Sequence, residues 1–135
     1  MLTAAHERRL LQLAVSLGAL VPVLGGAWGV LGRIATPSAA SESHVRYLSG
    51  LLLGIGLQFW ACVPAIERRG AAVGVLGLLV ITGGLARLAG AFETGFGRPV
   101  VLPLVMELGV TPLIVLWRAR VARRLRERQA EPSAI

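Results

Sequence analysis

Four stretches of this 135-residue chain, residues 10–31, 47–66, 71–92 and 99–117, run almost without charge. An α-helix needs about 20 mostly apolar residues to cross the hydrocarbon core of a bilayer. Each stretch is close to that length or exceeds it. In lipid, every backbone N–H and C=O must find its partner within the protein, which leaves helices or a closed barrel as spanning structures. The runs are continuous rather than alternating, so they do not read as barrel strands. The expected fold is an all-α membrane protein: an antiparallel four-transmembrane-helix bundle forming a single membrane domain over residues 1–135.

Composition supports this. Charged residues make up 16% of the chain, against roughly 25% in an ordinary soluble domain. The first stretch follows Arg8 and Arg9 as a signal sequence would. Its apolar core is longer than the roughly 7–15 residues of such a signal, so it is read as a retained span. Short connections at residues 67–70 and 93–98 force their neighbouring helices to be antiparallel. The first connection, residues 32–46, is a longer loop rich in Ser, Ala and Pro. A charged helical extension and a disordered polar end are expected over 118–135.

All 14 basic residues are arginine, and the net charge is +7. Ten of them (Arg8, Arg9, Arg68, Arg69 and the six from Arg118 to Arg128) fall on one side of the four-span arrangement. Arg33, Arg46 and Arg98 fall on the other. The excess of Arg on cytoplasmic loops places the first set, with both termini, in the cytoplasm of a cell whose inner (plasma) membrane holds the chain. Trp60 and Trp117 then lie near the inner interface, and Trp28, Tyr47, Phe92 and Phe96 near the outer one. Arg118, Arg120, Arg123 and Arg124 become candidate contacts for anionic lipid. A basic cluster directly after an apolar span is read this way rather than as a nucleic-acid footprint.

Two charged groups remain inside the spans, Arg87 in the third and Glu107 in the fourth. A lone charge at mid-membrane costs about 2.5–3.5 kcal/mol on insertion scales, and pairing relieves that cost. Counting from the ends of the spans, the two lie roughly 8 Å and 12 Å below the outer interface at 1.5 Å per residue. They are therefore expected to pair, in the bidentate geometry open to Arg and a carboxylate. His44, Arg46 and Tyr47 stand where the second span begins. The expectation is a polar pocket open to the outside, floored by Arg87 and Glu107, rimmed by His44, Arg46 and Tyr47, and extended by Gln58. The pair serves either as a staple fixing helix register or as a site for an anionic headgroup or proton relay.

Small residues bring membrane helices close together. Gly50, Gly54, Gln58 and Cys62, spaced by four, form one expected packing ridge. Gly83, Gly84, Gly90 and Ala91 make a second around Arg87. Pro22, Pro103 and Pro112 lie inside spans, where each removes a backbone donor.

Catalytic signatures are missing: there is no phosphate loop, no His-Glu-x-x-His and no Gly-x-Ser-x-Gly. His6 and His44 fall on opposite sides of the membrane, and Cys62 stands alone. The sequence reading is thus of a non-enzymatic protein without cofactor or metal. It binds a lipid-like or small anionic ligand. The competing readings are a proton-coupled transporter acting as a homo-oligomer and a structural membrane subunit.

The run from His44 through Arg46, Tyr47, Gly50, Gly54 and Gly56 to Leu57, with Phe59-Trp60 and the segment from Pro64 to Gly70, resembles the DUF4345 family of small bacterial membrane proteins. Gly83 to Leu88, Met106 to Leu108, Pro112 and Trp117 fit the same order. The resemblance covers roughly residues 7 to 124. It implies four spans and carries no assigned activity.

Overall fold

The computed structural model describes residues 4–32 and 35–130, without the side chains of Ala4 and residues 128–130. Arg33 and the expected disordered end, residues 131–135, lie outside the described residues. The protein is all-α, with no strand among the described residues. Its helices are α1 (Ala4–Leu31), α2 (Ala39–Cys62), α3 (Gly70–Thr94), α4 (Arg98–Leu104) and α5 (Thr111–Ala130). A 3-10 turn, Val63–Ala65, extends α2, and a π-helical turn, Val105–Val110, joins α4 to α5. This gives four spans long and apolar enough to cross a membrane.

Helix ends follow local chemistry. Helix α2 starts eight residues before the apolar stretch, because Ser38 caps it: its hydroxyl accepts the N–H of Ser41 at 3.2 Å. An N-cap oxygen satisfies a donor that the first helical turn leaves open. At the far end of α3, Gly95 adopts φ 97° and ψ 162°, a region that only glycine occupies readily. That residue turns the chain into α4.

The spans form two hairpins. In the first, α1 and α2 pack closely along their length. A Cβ on Gly26 would lie 2.5 Å from the Leu53 nitrogen and 2.7 Å from the Ser49 oxygen. One on Gly56 would lie 2.6 Å from Val23 Cγ2. In the second hairpin, α3 packs on the π turn and α5. There a Cβ on Gly84 would lie 2.8 Å from both Glu107 Cβ and Leu108 Cδ2, and one on Gly77 would lie 2.6 Å from Val115 Cγ2.

The packing ridges expected from sequence need correcting. A Cβ on Gly54 would meet nothing within 4 Å, and Gln58 is exposed. The glycines in close contact on α1 and α2 are Gly26 and Gly56, and Gly56 stands on a different face of α2 from the expected ridge. On α3, Gly84 and Ala91 pack inward while Gly83 and Gly90 do not.

The hairpins join each other at one end. Leu11, Val15 and Ala19 of α1 meet Phe59 and Cys62 of α2, Ile66 just past the 3-10 turn, Val73 and Leu76 of α3, and Val121 of α5 in one buried cluster. All of these residues lie in the half of the bundle that carries most of the arginines. Polar contacts reinforce that half. Arg8 pairs with Glu67 at 3.0 Å and donates to the Pro64 carbonyl. Gln12 donates to the Val63 carbonyl at 2.9 Å, and Trp60 Nε1 to the Ser16 carbonyl at 3.0 Å. Arg118 donates to the carbonyls of Ile66 and Glu67, and Arg124 pairs with Glu7. The carbonyls past a helix C-terminus have no intrahelical donor, and a guanidinium there satisfies them. At the opposite end Trp28, Tyr47, Phe92 and Phe96 are all exposed, Trp28 to 76%.

Candidate functional site

Where the hairpins part, a cleft of about 650 Å³ opens between them. It descends from Leu48 and Pro103 near the aromatic end to Val15, Phe59 and Val115 at the buried cluster. Along α1 it reaches from Val15 to Gly25, about 15 Å at 1.5 Å per residue. Its walls are predominantly aliphatic, with leucines and valines contributed by all four spans. Pockets that hold small molecules are commonly about 300–1,000 Å³, mostly apolar, with a few placed polar groups.

The polar group here is Arg87 with Glu107, both on the cleft wall. Arg87 Nε donates to Glu107 Oε2 at 3.0 Å and Arg87 Nη2 to Oε1 at 3.1 Å. This is the bidentate fork, with two parallel N–H···O bonds. The two side chains are unequally covered: Arg87 is 41% exposed and Glu107 16%. Arg87 is therefore the more accessible partner of the pair and Glu107 the better covered one.

Local backbone chemistry places both groups. Gly84, one turn before Arg87 on α3, lies against Glu107 and Leu108 because it has no Cβ. That close approach brings the third span near enough for the fork to close. Glu107 stands on the π turn, where the Thr111 N–H reaches back five residues to the Met106 carbonyl. The Thr111 hydroxyl donates to the same oxygen at 2.9 Å. Pro112 lacks an N–H to continue the regular ladder, and a π turn absorbs such a break. Apolarity alone makes residues 99–117 read as one uniform span and hides this turn. Its signal in the sequence is Thr111-Pro112, directly after the segment that carries Glu107.

The other expected site residues are elsewhere. Arg46 donates to Glu42 Oε1 at 3.1 Å and 2.8 Å and to the Val30 carbonyl at 3.1 Å, closing the C-terminal end of α1. The spacing of four between Glu42 and Arg46 signals this pair in the sequence. His44 and Tyr47 are exposed and do not line the cleft, and neither does Gln58. The pair is on a wall, not at the floor; the floor is apolar. Leu48 and Ser49 occupy the α2 side of the mouth instead.

Of the four arginines singled out after the last span, Arg118 and Arg124 are engaged within the protein, while Arg120 and Arg123 are exposed. Beside Arg118, Glu67 is shifted below the ordinary carboxylate range. Burial pushes its pKa up, but a backbone N–H and the Arg8 guanidinium together outweigh that.

Comparison with curated proteins and with solved structures gives no match. One family model matches, over residues 10–118, which takes in all four spans and both members of the ion pair. The chain belongs to the DUF4345 family, described as a domain of unknown function.

Proposed function

We propose that this protein binds one elongated, mostly apolar molecule in the cleft between its hairpins, with the polar end of that molecule at Arg87 and Glu107. The observation that carries this reading is the shape and chemistry of the cleft. It is aliphatic over about 15 Å, and it holds one charge-paired donor group on its wall. One leaflet of a bilayer has an acyl depth of about half of 30 Å, so a single lipid-like tail has the matching length. A small anion alone fits less well, because most of the lining offers it no hydrogen bond.

The orientation follows from arginine distribution. The end bearing Arg8, Arg68, Arg69 and the arginines of α5 faces the cytoplasm, and the cleft opens toward the outer leaflet of the plasma membrane. Arg120 and Arg123, exposed at the basic end, then meet the anionic lipid of the inner leaflet.

The staple reading keeps one specific observation in its favour, the bidentate closure of the pair itself. The two roles are compatible, since a staple still leaves guanidinium donors facing the cleft. A proton path through one chain has to pass Leu11, Ile66, Val73 and Val121, all buried to about 1% exposure or less.

The test fills the cleft. Gly83 lines it, and a Cβ there meets nothing within 4 Å, so the side chain of Gly83→Phe starts in open space and enters the volume a ligand would fill. Native mass spectrometry of wild type gently extracted from membranes should find an amphiphile bound at one per chain. The G83F protein should lose it while keeping its helical content and unfolding midpoint. A wild type that emerges empty from nanodiscs as well as detergent, or a G83F protein carrying the same load, ends the proposal.

A further inference from the structure

We infer that the cleft selects a ligand whose polar end is uncharged, such as the hydroxyl and ester oxygens of a diacylglycerol-like molecule, and discriminates against anionic lipids. The inference rests on the reading of the cleft as a lipid site and specifies the headgroup that site takes.

Arg87 on its own would be a receptor for phosphate. Its Nε and Nη2 are engaged by Glu107 at 3.0 Å and 3.1 Å, however, so the pair as a unit carries no net charge. A guanidinium has five N–H donors and the fork uses two of them. The others belong to the more exposed partner, at 41% against 16% for the carboxylate. The site therefore offers hydrogen-bond donors without a surplus positive charge.

The surroundings add to this selection. The residues of the cleft wall nearest in sequence to the pair are Gly83, Ala86, Met106 and Val110, none of them ionisable. Arg46, on α2, is tied to Glu42 and the Val30 carbonyl, and it does not line the cleft. A phosphate entering this site brings a net negative charge into an apolar lining where the Glu107 carboxylate already stands 3.0 Å from the guanidinium. An uncharged oxygen accepts the same N–H donors and loses only its own hydration. Burying an unpaired charge is far more costly than burying a hydrogen-bonded neutral acceptor.

The consequence is an inverted selectivity when the carboxylate is neutralised. Glu107→Gln keeps the shape of the side chain and leaves Arg87 with its positive charge uncompensated. The anionic headgroup then becomes the preferred partner.

The experiment uses the full chain in mild detergent, titrated by native mass spectrometry with dioleoylglycerol and dioleoylphosphatidylglycerol in competition. These two probes share their acyl chains and differ in headgroup charge. Wild type should hold dioleoylglycerol over dioleoylphosphatidylglycerol by about tenfold or more, the ratio given by little more than 1 kcal/mol. Arg120→Gln and Arg123→Gln are present in every protein compared, so that anionic lipid at the exposed basic end does not enter the count; in that background E107Q should reverse the order, and G83F should hold neither. Equal or preferred binding of dioleoylphosphatidylglycerol by wild type overturns the headgroup inference and leaves the cleft as a lipid site. Failure of wild type to hold either probe, or retention of both by G83F, overturns the cleft reading itself. The wild-type competition decides the headgroup question even if E107Q does not fold.

Discussion

Removing one member of the Arg87–Glu107 pair at a time should destabilise the protein unequally, and the order follows from burial. Arg87→Leu strands a carboxylate whose side chain is only 16% exposed. Glu107→Leu strands a guanidinium that is 41% exposed and has a long stem with which to reach the polar interface. Breaking a buried pair by deleting one partner typically costs about 3–5 kcal/mol, and insertion scales give about 2.5–3.5 kcal/mol for a charge at mid-membrane. The better covered carboxylate should fall within that range, at about 3 kcal/mol for R87L. The more exposed guanidinium should cost less, about 2 kcal/mol for E107L. Replacing both with Leu removes both charges together and should stay within about 1 kcal/mol of wild type. The double-mutant cycle then gives a coupling of about 5 kcal/mol. Reversible unfolding in mixed micelles of dodecylmaltoside and dodecyl sulfate, followed by the fluorescence of Trp28, Trp60 and Trp117, measures each value. A double variant that loses the sum of the singles would show that the two charges do not stabilise one another. An E107L protein less stable than R87L would refute the burial argument specifically.

Two further predictions concern packing and pH. Gly26→Ala places a Cβ 2.5 Å from the Leu53 nitrogen, so the backbones of α1 and α2 must separate. It should cost about 1–3 kcal/mol in the same unfolding assay, whereas Gly54→Ala, whose Cβ meets nothing within 4 Å, should cost nothing measurable. Glu67 has its pKa depressed in the folded protein, so its contribution is present above the ordinary value of 4.5 and lost as pH falls through the lowered value. Wild type should therefore lose stability on acidification below pH 4.5, and Arg8→Gln should flatten that acid limb. An acid limb equally steep in both proteins would remove Arg8 from the account.

Several features of the site are legible in the sequence because they follow from depth and solvent alone. Arg87 and Glu107 are the charged residues of the apolar stretches, and adjacent antiparallel spans place them at similar heights. The fork between them requires no knowledge of side-chain packing. Arg46 misleads for a related reason. Its depth suits a cleft rim, but depth says nothing about direction, and a carbonyl at the end of α1 with Glu42 four residues away satisfies it instead. The choice of Gly56 over Gly54 as a close-contact residue is also a matter of direction. Both are small and at nearly the same depth, and only the rotation of α2 about its axis separates them.

Four crossings of a bilayer and the mutual neutralisation of the charges inside them follow from the order of residues alone. Hydrocarbon imposes both: it satisfies no backbone group and solvates no ion, so segment length and charge position alone carry the information. That two closely packed hairpins meet at one end and part at the other, leaving an aliphatic cleft beside the ion pair, is visible only in the folded molecule. Lipid is as apolar as leucine and does not drive helices together. Which faces touch is therefore set by detailed fit, such as Gly26 on Leu53 and Gly84 on Glu107, and that fit exists only once all the spans are assembled.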